Sequence, residues 1–154
     1  MSYLTQKTIK NNVSFNGIAL HSGVKVNVCI KPAEENSGII FKRVDLRDNN
    51  LIFPNFMNVT NTSLNTTIEN EFGVKVSTIE HLMGALFGLG IDNALIEINN
   101  EEVPILDGSA KNFIEKIVTA GIKVSNAPIK IIKINKEVQF EDGTRFISIK
   151  PSTL

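Results

Sequence analysis

Strands come first in this chain and helices second, and that order restricts the fold more than any other feature of the sequence. From Thr5 to about Ser77, alternating and β-branched runs recur in KTIKNNVSFNG, VKVNVCIKPA, GIIFKRVDL, LNTTIE and VKVS, separated by glycine, asparagine and Pro32. The last two runs join through Asn70 to Gly73. A helical period begins only afterwards. Ile79, Leu82, Met83, Leu86 and Phe87 fall on one face, ending near Gly88 or Gly90. The stretch NALIEIN then reads as a strand. A second helix follows on Ala110, Phe113, Ile114, Ile117 and Val118, with Asp107 or Ser109 as N-cap and Gly121 as its stop. A doubly wound parallel sheet needs strands and helices in alternation throughout. A block of strands followed by helices instead predicts an α+β fold, a two-layer sandwich of a mainly antiparallel sheet with two helices on one face.

After SNAP, Ser125 to Pro128, the strand pattern restarts as IKIIKINKEVQF, a turn at EDG, and TRFISIKPS. Val138-Gln139-Phe140 echoes Val13-Ser14-Phe15, and Ile149-Lys150-Pro151 echoes Ile30-Lys31-Pro32. Chance likeness between two hairpins is one explanation of the echo. An internal repeat is the other, and it divides the chain into an α+β domain over 1–126 and the first hairpin of a second, similar domain over 127–154. A lone hairpin is marginally stable. The chain is then expected to be the front portion of a longer two-domain protein.

Composition excludes several classes. At 154 residues, with 42% hydrophobic and 21% charged residues, the chain suits one folded domain of ordinary size and neither a disordered segment nor a membrane bundle. Sixteen basic residues balance sixteen acidic ones with no like-charge run, which argues against nucleic-acid binding. The single cysteine, Cys29, forbids an internal disulfide, and its place in VKVNVCIKP predicts a buried core thiol. The opening MSYLTQKTIKNN has no apolar run of the signal-peptide kind, and no later segment approaches the ~20 apolar residues of a membrane span. A cytoplasmic protein without a transmembrane segment is expected.

The stretch KVSTIEHLMGALFGLGIDN, Lys75 to Asn93, opens the first helix with Glu80 beside His81. STIE has the form of a capping box, in which Ser77 caps the backbone at Glu80 and Glu80 reaches back to the Ser77 N–H. A cap leaves another face unexplained, where His81, Gly84, Ala85 and Gly88 line up. Each mid-helix glycine costs about 1 kcal/mol relative to alanine, so that face is expected to meet something closely. A histidine in the first turn also sits at the positive end of the helix dipole, which disfavours the imidazolium and keeps a neutral ring available to a metal. Glu80 is then placed to act as general base on a metal-activated water. Catalytic zinc takes three protein ligands, and the only other histidine, His21, lies in the glycine-rich turn IALHSG, where a solvated turn residue is the simpler reading.

The segments GIALHSG, GIIFKRVDL, KVSTIEHLMGALFGLGIDN and EVPILDGSA occur in the order found in the N-terminal half of UDP-3-O-acyl-N-acetylglucosamine deacetylases, the zinc amidases of lipid A biosynthesis. The chain resembles that family over essentially its whole length. The resemblance implies two similar α+β domains packed helix layer against helix layer, with the active site between them. It implies that Glu80 is the general base, His81 the first zinc ligand, and His21 a residue lining the active site. The loop NTSLNTT, Asn61 to Thr67, matches a substrate-side segment in which Leu64 and Asn65 are the candidates. In the family, zinc polarises the N-acetyl carbonyl of a UDP-sugar bearing a 3-O-acyl chain and activates a water that the glutamate deprotonates. The two further zinc ligands lie in a His-x-x-x-Asp motif of the second domain, which also supplies another catalytic histidine, the acyl tunnel and much of the nucleotide-sugar contact. None of these is in the present sequence. The chain alone is therefore expected to be inert, to hold zinc poorly and to self-associate through its uncovered helix layer. The reading from a different class is a non-catalytic α+β binding module.

Overall fold

The computed structural model describes residues 4–152. Its strands in chain order begin with β1 (Thr5–Ile9), β2 (Val13–Ile18), β3 (Lys25–Pro32), β4 (Ile39–Arg43) and β5 (Leu51–Ile52). A 3-10 turn at Phe56–Asn58 leads into β6 (Val59–Asn61), β7 (Thr67–Glu69) and β8 (Lys75–Val76). Helix α1 (Glu80–Leu89), strand β9 (Ala94–Ile98) and helix α2 (Lys111–Ala120) follow, and β10 (Ile122–Pro128), β11 (Val138–Asp142) and β12 (Arg145–Ile149) complete the described elements.

The principal sheet has five strands in the order β2-β3-β9-β4-β5. Its pairings are antiparallel except for β4 with β9. Alternation decides its two faces. Phe15, Val26, Val28, Ile30, Phe41, Ile96 and Ile98 turn inward and form one core with Leu82 and Leu86 of α1 and Phe113 and Ile117 of α2. The rings of Phe15 and Phe113 meet at 5.0 Å between centroids, tilted by 51°, fastening α2 to β2. The expected α+β arrangement is observed, with smaller antiparallel sheets added beside it: β6-β7-β8, β1-β10 and β11-β12.

Cys29 does not lie in the core. It occupies the outward register of β3, between Asn27 and Lys31, while Val28 and Ile30 take the inward positions. It is half-buried on the outer face opposite Glu97 of β9, where Lys31 and Glu97 form an ion pair at 2.7 Å. The two faces of a strand are indistinguishable in a run such as VKVNVCI until one knows which side carries the helices.

The frame of α1 also differs from expectation. Its buried residues are Leu82, Ala85 and Leu86, with Ile79 just ahead, whereas Phe87 is 89% exposed. Two apolar frames overlap in EHLMGALFGL, and the core uses the one containing Ala85. Gly90 ends the helix in the left-handed region at φ 67°, its N–H reaching back to the Leu86 and Phe87 carbonyls. In α2, Ala110 stands at the N-cap position without a side-chain bond. Ser109 serves the next donor instead, its Oγ accepting from the Lys111 N–H at 3.1 Å, and Asp107 Oδ1 in turn accepts from the Ser109 hydroxyl at 3.0 Å. Gly121 stops the helix as expected. Val118, expected on the buried face, is exposed.

Strand β10 runs through SNAP, across position 126, and pairs with β1. Beyond it, β11 and β12 form a hairpin whose register repeats that of β2 and β3. Val138 pairs with Ile149 and Phe140 with Ile147, as Val13 pairs with Ile30 and Phe15 with Val28. The environments differ. Phe15 and Val28 are each 1% exposed, whereas Phe140 and Ile147 are 68% and 70% exposed.

Candidate active site

Helix α1 begins immediately after a sharp change of direction. Ser77 continues the line of β8, and Thr78 then adopts φ 55° before Ile79 takes helical angles. A β-branched residue in the left-handed region is an outlier that costs on the order of 1–3 kcal/mol and persists only where its surroundings enforce it. Thr78 is buried, and its Oγ1 donates to Glu102 Oε1 at 3.2 Å.

This turn removes the expected capping box. Ser77 lies outside the helix, in a parallel bridge with Glu102. Its N–H donates to the Glu101 carbonyl at 2.8 Å rather than to Glu80, and its hydroxyl donates to the same oxygen at 3.1 Å. The Ile79 N-cap position makes no side-chain bond. Glu80 turns instead toward the loop before β7, where its Oε2 accepts from the Thr66 N–H at 3.1 Å. The candidate general base is thus anchored to the backbone of the loop Asn61 to Thr67.

Within that loop Leu64 has φ 65° and is 90% exposed, an unusual conformation for a branched apolar residue that leaves it projecting into solvent. Asn65 is half-buried, its Oδ1 accepting from the Thr67 hydroxyl at 3.0 Å. His81 is half-buried in the first turn of α1. Gly84 and Gly88 are exposed, and a Cβ built on either would meet no atom within 4 Å outside the helix's own backbone, so the helix is open at these two glycines, whereas Ala85, aligned with them in the sequence, is buried in the core.

His21 sits in the turn between β2 and β3, its side chain outside the core. Its connection to α1 runs through Glu102, a residue the sequence reading passes over. Glu102 is 3% exposed. Its Oε1 accepts from the His21 N–H at 2.8 Å, and its Oε2 accepts from the Ser22 N–H at 2.9 Å and the Ser22 hydroxyl at 2.8 Å. Burial pushes the Glu102 carboxyl upward. Donation from the His21 N–H, the Ser22 hydroxyl and N–H, and the Thr78 hydroxyl outweighs that and holds it below the usual glutamate range. The one signal in the sequence is a carboxylate directly ahead of the apolar run VPIL.

A polar hollow of about 440 Å³ borders this network, with Ser22, Asn65, Ser77 and Glu102 among its walls. A larger hollow of about 560 Å³ opens elsewhere, around Gln6, Asn36 and Asn93. Those amides bond one another, Gln6 Nε2 to Asn36 Oδ1 at 2.8 Å and Asn93 Nδ2 to Gln6 Oε1 at 2.9 Å, a self-satisfied brace between strands and loops.

Residues 6–154 match the family model of UDP-3-O-acyl N-acetylglycosamine deacetylase. The chain belongs to this deacetylase family. It is similar to the UDP-3-O-acyl-N-acetylglucosamine deacetylase of Nautilia profundicola, with 48% identity over 97% of this chain and 50% of that protein. The deacetylase of Pseudoalteromonas atlantica is 45% identical over 96% of this chain and 49% of its own length. That of Teredinibacter turnerae is 46% identical over 96% and 48%. The chain therefore spans about half the length of the deacetylases it matches.

Among the described residues no three His, Cys, Asp or Glu side chains converge closely enough to hold a metal ion. His81 offers one imidazole at the open side of α1, beside a carboxylate. No helix among the described residues is long and apolar enough to cross a membrane.

Proposed function

We propose that this chain is the N-terminal part of a cytoplasmic, zinc-dependent hydrolase that removes the N-acetyl group from UDP-3-O-acyl-N-acetylglucosamine. One observation carries the reading: in a chain of the deacetylase family, Glu80 and His81 occupy the opening turn of α1, at the edge of a helix face left open by Gly84 and Gly88. Zinc, when bound, would supply Lewis acidity toward the acetamido carbonyl and toward the attacking water. His81 would be one of its ligands, with two more supplied by a second domain.

Glu80 takes the proton of the attacking water. Its Oε2 is engaged by the Thr66 N–H, which orients the carboxylate and leaves Oε1 to receive that proton. Water oxygen bonds to the acetyl carbon, the C–N bond breaks, acetate departs, and the sugar amine takes up a proton. His21 lines the site from the turn between β2 and β3, and Leu64 and Asn65 border the substrate from the loop before β7.

The shared register of β2-β3 and β11-β12 supports a second domain after a first over 1–126, although β10 carries its pairing with β1 through Pro128, just past that boundary. Exposed Phe140 and Ile147 await the layer that covers their counterparts Phe15 and Val28. The open side of α1, with exposed Phe87, packs against that second domain. In its absence this surface favours self-association.

The test is acetate release from UDP-3-O-acyl-N-acetylglucosamine by the full-length parent and by the 154-residue chain. Turnover by the parent and none by the chain is expected. A parent that releases no acetate, or a chain that matches it, contradicts the reading.

A further inference from the structure

Two segments distant in sequence end on one buried carboxylate. The His21-Ser22 turn donates to Glu102 through two backbone N–H groups and one hydroxyl, and the Thr78 hydroxyl donates to Oε1, the oxygen that also takes the His21 N–H. The strip carrying Glu102 is fixed along its length. Ser77 N–H bonds the Glu101 carbonyl at 2.8 Å, Val103 N–H bonds the Ser77 carbonyl at 3.1 Å, and Ile105 N–H bonds the Ile18 carbonyl at 3.0 Å. Gly17 lets this strip lie across β2, since a Cβ there would come within 2.9 Å of Pro104 Cβ. Thr78, held in the left-handed region, stands two positions before Glu80.

All the partners of Glu102 are donors, so the site requires a side chain that only accepts. Glutamine would turn an NH2 group toward one set of donors. A core filler of the same size would leave the donors without an acceptor. We propose that Glu102 is the positioning residue of the Glu80-His81 site, locking the His21 turn against the entry to α1 so that His21, Glu80 and His81 are preorganised in one arrangement. The proposal rests on the deacetylase reading above. Glu102 touches no reacting atom in this scheme; it acts through the His21 turn and through Thr78.

In the full-length enzyme, Glu102→Gln is expected to retain zinc and to lower kcat by roughly 10- to 100-fold, as loss of an outer partner of an active-site group does, with a smaller change in KM. Most of that loss should vanish when the substitution is made on a His21→Ala background, because the two act along one path. Thr78→Val, which keeps the side-chain shape and removes one donor, should lower kcat in the same direction by less, and it carries the test if Glu102→Gln does not fold. In the 154-residue chain, the His21 and Ser22 amide-proton resonances should move upfield in Glu102→Gln. Full kcat in both Glu102→Gln and Thr78→Val, or losses that simply multiply with His21→Ala, would overturn the positioning role. Unmoved amides with an active parent would overturn it alone, whereas a parent without deacetylase activity would overturn the functional reading and this role with it.

Discussion

Glu80→Gln in the full-length protein is expected to keep its zinc and its fold and to lose deacetylation by about 10²- to 10⁴-fold, the contribution of a positioned general base. Glutamine is nearly the same size as glutamate, and its carbonyl oxygen can still accept the Thr66 N–H, so the loop before β7 stays tethered to α1. What the amide cannot do at neutral pH is receive a proton from water. Structure and metal are therefore preserved while proton transfer is removed, which separates a catalytic role from an architectural one. Acetate release measured at neutral pH under saturating substrate makes the check. Equal rates for variant and parent would remove Glu80 from the reaction.

His81→Ala should instead act on the metal. The imidazole is one of three expected protein ligands, and its loss should weaken zinc binding by more than the roughly 10- to 100-fold that an outer partner is worth. The fold should tolerate the change, because His81 is half-buried in the first turn of α1 and alanine is the best helix former. Zinc content after dialysis, read beside the melting temperature, makes the distinction. Low zinc with an unchanged melting temperature is expected; unchanged zinc would show that His81 is no ligand.

The architecture was readable in the sequence where periodicity is strong. Strands β2, β3, β4 and β9 and both helices follow from alternating or helical runs, because each must present one apolar side to a shared core. Shorter elements were read unevenly: β8 lies in the run VKVS, but β5 has only two residues and no run of its own, and β6 is held by pairing with β7 rather than by its own pattern. Facing was the second difficulty. Cys29 and Phe87 sit in apolar patterns, yet Cys29 lies on the outer face of β3 and Phe87 faces solvent, since the pattern of one segment does not say where its neighbours lie.

At the site, Glu80 and His81 were visible as an adjacent pair. The capping box was not realised, because Thr78 turns through the left-handed region and carries Ser77 off into a bridge with Glu102. The place of Glu102 could not be read locally. Its partners are about eighty residues earlier at His21 and Ser22, and twenty-four earlier at Thr78, and only the folded chain brings them together.

The most direct measurement is the zinc content of the purified 154-residue chain after dialysis, taken beside the full-length parent. Stoichiometric zinc in the parent and little in the chain is the expected result, because the proposed site takes His81 as one of three ligands and draws the other two from a second domain. Stoichiometric zinc retained by the chain alone would mean that its own residues complete the site, contradicting a catalytic centre shared between two halves of the protein.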